Sequence, residues 1–205
     1  MVRAAAAAGV VGPVLFAAIL LGLTIVQYDF MLAIGWQPLR DPAGAWPSGL
    51  ALSPYGWVQT TNFVISGTLL MLFAAGLRLG VADGRGSPAG PTLLFVAGAA
   101  MALMGFGTDP FQSSGPQTLH NLIHDLAFAL FLLTLLPALL FLWHLFREDA
   151  LWRSHSRYTL ATGILATLLV LLPGVAYYLF LAVVLVWFEV TAVKLLRATS
   201  FPGRY

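Results

Sequence analysis

The sequence predicts an all-α polytopic membrane protein, a bundle of six transmembrane helices with both termini cytoplasmic. Three observations predict it. Of 205 residues, 60% are hydrophobic and 9% charged, against about 25% charged in a soluble globular domain. Six apolar stretches approach the roughly 20 residues that a helix needs to cross about 30 Å of hydrocarbon. The basic residues between them fall almost wholly on one side, as cytoplasmic loops do. The absence of Cys excludes a disulfide framework, a thiolate nucleophile, a zinc ribbon and an iron–sulfur site. Ten Lys and Arg against eight Asp and Glu leave a net charge of +2, an excess that helix orientation explains without a nucleic-acid partner.

In chain order the expected spans are 4–28, 57–77, 91–107, 119–146, 158–172 and 175–196, all within one transmembrane domain, 1–205. The first follows Arg3 as a secretory signal would. Its length, and the lack of a small-x-small cleavage site after Val26-Gln27-Tyr28, point to a retained anchor. The last two form one apolar run too long for a single crossing, and Pro173-Gly174 supplies the turn between them. With the N-terminus inside, nine basic residues are internal: Arg3, Arg78, Arg85, Arg147, Arg153, Arg157, Lys194, Arg197 and Arg204. Only Arg40 is external. A missed or added span would scramble that separation. The outer segment 29–56 carries Trp36, Trp46, Tyr55 and four prolines, with Trp57 just after it. It reads as a loop lying at headgroup level or as a lid over an outward-facing cavity. The inner segments 78–90 and 147–157 read as connectors. Gly9, Gly12, Gly22, Gly98, Gly105 and Gly163 are expected at close helix crossings.

Polar groups at membrane depth cost about 2.5 to 3.5 kcal/mol each and so tend to mark function. His120, Asn121, His124 and Asp125 begin the fourth span and cover an arc of roughly 140°. His120 and His124 stand one turn apart. On the second span Gln59, Asn62 and Ser66 fall within about 60° of one another, and Thr108 and Asp109 lie just past the outer end of the third. Three readings fit this cluster. One is a hydrogen-bonded network of helix ends, with Asp109 as a cap or turn residue. Another is a metal site, His120, His124 and Asp109 presenting two imidazoles and a carboxylate to Zn²⁺. The last is a metal-free site that binds substrate or moves protons. A bis-histidine b-type haem is not expected, because His120 and His124 share a helix and His144 lies about 30 Å along it. Glu189 is expected to pair with Lys194, an inner-loop Arg or a hydroxyl.

Three segments together carry a family resemblance: Gly56-Trp57-Val58-Gln59-Thr60-Thr61-Asn62-Phe63 with Gly67, Gly105-Phe106-Gly107-Thr108-Asp109-Pro110, and Thr118-Leu119-His120-Asn121-Leu122-Ile123-His124-Asp125. They resemble a prokaryotic family of six-helix membrane proteins known as domain of unknown function 998, from Gly12-Pro13 to the final hairpin. The resemblance implies the architecture and the outward polar cluster, and no chemistry. That family's first outer loop often reads His-Pro-x-Ser, where this chain has Asp41-Pro42-Ala43-Gly44, so no catalytic role is expected of the loop. The site chemistry is also loosely similar to membrane hydrolases of the ceramidase and adiponectin-receptor type, by analogy only.

The leading expectation is a multi-pass protein of a prokaryotic cell membrane with an outward-facing His/Asp pocket. It acts there as a metal-dependent hydrolase, or as a binding protein, for a lipid-like or amphiphilic molecule. His120, His124 and Asp109 would be ligands to zinc. Asp125 would orient a histidine or act as general base with His124, and Gln59, Asn62 and Ser66 would position substrate. The alternatives are a non-catalytic subunit of a larger membrane complex and a small-solute or proton-coupled transporter.

Overall fold

A hydrocarbon solvent forces each segment to satisfy its own backbone, and the long Leu, Val, Ala and Phe runs do so as helices. The computed structural model describes residues 1–81, 87–111 and 115–199; Arg85 and Arg204, two of the nine internal basic residues, lie outside them. Among the described residues there are seven α-helices and no strand: α1 (Val2–Val26), α2 (Tyr28–Ala33), α3 (Gly56–Gly80), α4 (Ala89–Leu103), α5 (Leu119–Glu148), α6 (Arg153–Val170) and α7 (Ala176–Ala198), with a 3₁₀ turn at Ser48–Leu52. Four of them, α1, α3, α5 and α7, are long and apolar enough to cross a membrane, with mean hydropathies of 2.4, 1.8, 2.5 and 2.2. The six longer helices form a ring in which each packs on its neighbour in sequence and α7 closes on α1.

The exterior is apolar, and several polar groups are buried within a largely apolar core. Gln59, Asn62, Thr134, Thr159 and Thr191 are buried, whereas Leu21, Ile25, Leu72, Leu133, Leu168 and Val186 are exposed. Polar groups turned inward beneath an apolar exterior are what lipid as solvent selects. The interior polar groups bond across helices: Trp187 Nε1 on α7 donates to Thr159 Oγ1 on α6 at 3.0 Å, and His155 Nε2 lies 2.9 Å from Thr191 Oγ1.

Several expectations are corrected. The helix at the expected third span, α4, ends at Leu103 and not at 107, because the chain turns through Gly105, whose N–H bonds back to Ala102 O. The helix at the expected fifth, α6, starts at Arg153 and not at 158, so His155 lies in a buried helical turn and not in a loop. The segment 29–56 is not a plain loop, since Asp29 lies in α2 and residues 48–52 form the 3₁₀ turn. Glu189 forms no ion pair with Lys194: its Oε2 is buried without a hydrogen-bond partner, and the Lys194 ammonium sits 5.4 Å over the Trp152 ring. Gly22 is no crossing point, since a Cβ there would meet nothing within 4 Å. A close backbone-to-backbone crossing joins α3 to α4, where a Cβ on Gly67 would lie 2.5 Å from both Gly98 O and Ala102 N. Between α6 and α7, Gly174 takes φ +68°, a left-handed geometry that suits glycine at the expected turn.

Candidate functional site

The ring encloses a cavity of ≈ 190 Å³ between α1, α3, α4, α5 and α7. Its deep walls are apolar, built from Phe16, Phe63, Phe73, Phe131, Phe180 and Val184. From Phe63 to Phe73 along α3 it runs about 15 Å, at 1.5 Å per residue. Polar groups gather at one end, where Ser48, Thr108, His124 and Asp125 join the lining. That end opens where the exposed residues Ala43, Gly44 and Asp125 form its rim.

Residues 43–48 cover this end, and three anchors hold them. Trp46 Nε1 donates to Thr24 Oγ1 on α1 at 2.8 Å, and the Trp46 ring packs edge-on to Tyr177 and Tyr178 of α7, at 6.2 and 5.1 Å between centroids. Ser48 Oγ lies 2.7 Å from His124 Nε2 on α5. Gly49 is wedged against Ile34 and Phe111, where a Cβ would have 3.0 and 3.1 Å. With Trp36 and Trp46 each 5% exposed, the segment packs as a lid. Tyr55 and Trp57 at its margin are exposed, the latter 70%.

His124 is buried against the edge of Phe63. Its Nδ1 lies 2.9 Å from Met104 O and 2.9 Å from Phe106 O. Carbonyl oxygens only accept, so Nδ1 carries the proton and, in the neutral ring, Nε2 accepts from the Ser48 hydroxyl. The early end of α4 is what turns both carbonyls toward this ring. Asp125, expected to orient a histidine, instead accepts from Gln117 Nε2 at 2.6 Å and Asn121 Nδ2 at 3.1 Å. The two carbonyls take the orienting role.

The remaining expected site residues divide. Ser66 lines the cavity and donates to Asn62 Oδ1 at 3.2 Å. Asn62 donates to Phe16 O at 3.3 Å, which ties α3 to α1; neither it nor Gln59 lines the cavity. Gln59 Oε1 accepts from Asn62 at 3.4 Å, and its Nε2 is buried without a partner. His120 is exposed and stacks on Phe106 at 6.3 Å. Asp109 accepts from the Thr118 N–H at 2.8 Å and the Thr118 hydroxyl at 2.7 Å, while Thr118 caps α5 by accepting from Asn121 N. The set His120, His124 and Asp109 therefore does not converge as metal ligands would, and among the described residues no three His, Asp or Glu side chains do so.

Residues 16–196 match the sequence profile of a family described as Protein of unknown function (DUF998). The chain belongs to that family. The three segments that carry the DUF998 resemblance now have structural roles: Gly67 at the α3–α4 crossing, Thr108-Asp109 bound to the start of α5, and His124 on the cavity wall. No curated protein and no solved structure shows significant similarity to the chain.

The Asp109 contacts make a pH prediction. The Thr118 N–H and hydroxyl hold the Asp109 carboxyl below the ordinary value of 3.8. A depressed carboxyl contributes stability that is present above its unfolded-state value and is lost as pH falls through the lower folded value. Hydrogen exchange at the Thr118 and Asn121 amides, corrected for intrinsic rates, is therefore expected to accelerate only below pH 3.8. In Asp109→Asn it should be fast already at neutral pH. Equal protection in both proteins would show that the carboxylate does not hold this cap.

Proposed function

We propose that this DUF998 protein holds an amphiphilic, lipid-like molecule in its cavity, the apolar chain between the helices and the polar head at the lid. The carrying observation is the segregation of the lining: mostly aromatic and aliphatic over about 15 Å of depth, where the Ser66 hydroxyl is turned to Asn62, with Ser48, Thr108, His124 and Asp125 gathered at the mouth. The cavity exceeds the roughly 150 Å³ that accommodates benzene in an engineered apolar site, and its length suits an alkyl chain. Burying such a chain stabilises the complex by about 0.8 kcal/mol per methylene. In this reading His124 and Asp125 meet the head and Ser66 contacts the chain.

The test is mass spectrometry of small molecules retained by the purified protein. Wild type should carry an amphiphile, and Val184→Trp, which places an indole in the cavity, should retain about tenfold less or lower at unchanged thermal stability, as the loss of one or two buried methylenes would do. A wild-type protein that binds no long-chain amphiphile, retained or added, would end this reading.

The nine-to-one separation of basic residues and the closed ring of six helices support six crossings with the lid outside a prokaryotic cell membrane and both termini inside. A reporter active only in the cytoplasm should be active when fused after Tyr205. Activity only of an exported reporter at that site would overturn the orientation.

A further inference from the structure

One hydrogen bond in the lid is more than an anchor requires. Any donor at residue 48 would tie the lid to α5. What stands there is a hydroxyl 2.7 Å from an imidazole nitrogen whose ring is fixed from the other side by two carbonyls at 2.9 Å. This is the arrangement of a nucleophile, its base and an orienting acceptor. The backbone carbonyls of Met104 and Phe106 stand where a carboxylate often does. Their hydrogen bonds select the tautomer in which Nε2 is free to take a proton. Both members line the cavity at the boundary between its apolar depth and its polar mouth. Ser48 is half-buried, reachable from the cavity, and His124 is 5% exposed, shielded from bulk water.

We propose that Ser48 and His124 are a nucleophile and general base that hydrolyse a carboxylic ester of an amphiphile whose acyl chain occupies the cavity. The proposal rests on reading that cavity as an amphiphile site and adds the reaction. Ser48 Oγ forms a bond to the ester carbonyl carbon as its proton passes to His124 Nε2. The ester C–O bond then breaks, its electron pair stays on the leaving oxygen, and that oxygen takes the proton from Nε2 and departs as an alcohol. Water from the mouth next gives a proton to Nε2 and attacks the acyl carbon. The bond to Oγ breaks, and Ser48 recovers its proton as the carboxylic acid leaves. Ester and water become acid and alcohol, with no oxidant or reductant. Asp125, held at the rim by Gln117 and Asn121, places negative charge beside the head of the bound molecule and favours neutral or cationic heads over anionic ones.

The experiment uses the full chain in lipid nanodiscs with two probes. A dodecyl fluorophosphonate reports the nucleophile by intact mass and peptide mapping, and a pyrene-labelled dodecanol, whose head is neutral, reports occupancy of the cavity. Wild type should form one adduct, on Ser48. Ser48→Ala should lose it and still bind the pyrene probe, which shows that the fold and cavity survive. His124→Gln should slow labelling by about 10²-fold or more, the scale of a positioned general base. Ser48→Cys, which keeps a side chain of similar size at the base, should react instead with a dodecyl iodoacetamide. Binding of the pyrene probe without any Ser48 adduct would overturn the dyad and leave the cavity reading intact. An adduct on another residue would also overturn the dyad. Failure of wild type to bind the pyrene probe would remove the cavity reading and this proposal with it.

Discussion

Gly67→Val is expected to prevent accumulation of folded protein. The glycine Cβ would stand 2.5 Å from Gly98 O and 2.5 Å from Ala102 N. Both are backbone atoms of α4 and cannot rotate aside as a side chain would. Accommodating even one methyl means separating α3 from α4 along a contact that buries Leu70 and Ala97. Overpacking of this kind costs about 1–3 kcal/mol, occasionally more, so Gly67→Ala should lower the thermal midpoint and the branched Val should exceed what a marginally stable bundle tolerates. The control is Gly22→Val, where a Cβ meets nothing within 4 Å. Size-exclusion chromatography and thermal unfolding in detergent should separate the two. Equal yields from both variants would show that the α3–α4 crossing is looser than its geometry.

Trp46→Ala should free the lid and leave the ring of helices in place. Truncating a buried Trp costs about 3–5 kcal/mol, and here the loss removes the packing on Tyr177 and Tyr178 together with the bond to Thr24. Thr24 stays satisfied in the variant because its hydroxyl donates to Leu20 O at 2.7 Å, so the damage is confined to the lid. Hydrogen exchange at the Trp46 and Gly49 amides, which bond to Pro42 O and Ala45 O, should approach the rates of an open loop, while the amides of α3 and α5 remain protected. Trp46→Phe keeps an aromatic ring but loses the N–H, about 1 kcal/mol, and part of the indole's buried volume, and should fall between wild type and Trp46→Ala. Unchanged protection in Trp46→Ala would mean that Ser48 and the wedge around Gly49 hold the lid without it.

The class of the protein and the order of its helices are legible in the sequence, because both follow from periodicity and composition. Apolar runs of the right length can satisfy their backbones in lipid only as helices, and Pro173-Gly174 interrupts the last run where the structure turns. The local bonds at the start of α5 are legible for the same reason. Thr108, Asp109 and Asn121 are brought together by a short connection, and the expectation of Asp109 as a cap or turn residue needs no distant partner. Helical spacing also places His120 and His124 one turn apart. It states the angle between two side chains, about 40° for four residues, and not which neighbour each will face. That zero point is decided by how α5 rolls against α3 and α4. The roll sends His124 inward to Met104 and Phe106 while His120 stays at the rim on Phe106. The same roll leaves Gln59 and Asn62 holding helices together instead of lining a site, and separates the three side chains expected to bind zinc. Ser48 carries no signal of its own in a Ser-Gly-Leu-Ala-Leu-Ser stretch. Its partner is 76 residues away, and a contact at that separation exists only after the ring has closed and Trp46 has drawn the lid across it. Sequence alone therefore determined the solvent and the order of the long helices, governed by interactions within a few residues, while helix ends such as Leu103 and Arg153 fell four or five residues from where it put them. The cavity and the Ser48–His124 pair depend on the relative rotation of packed helices, which only the tertiary structure decides.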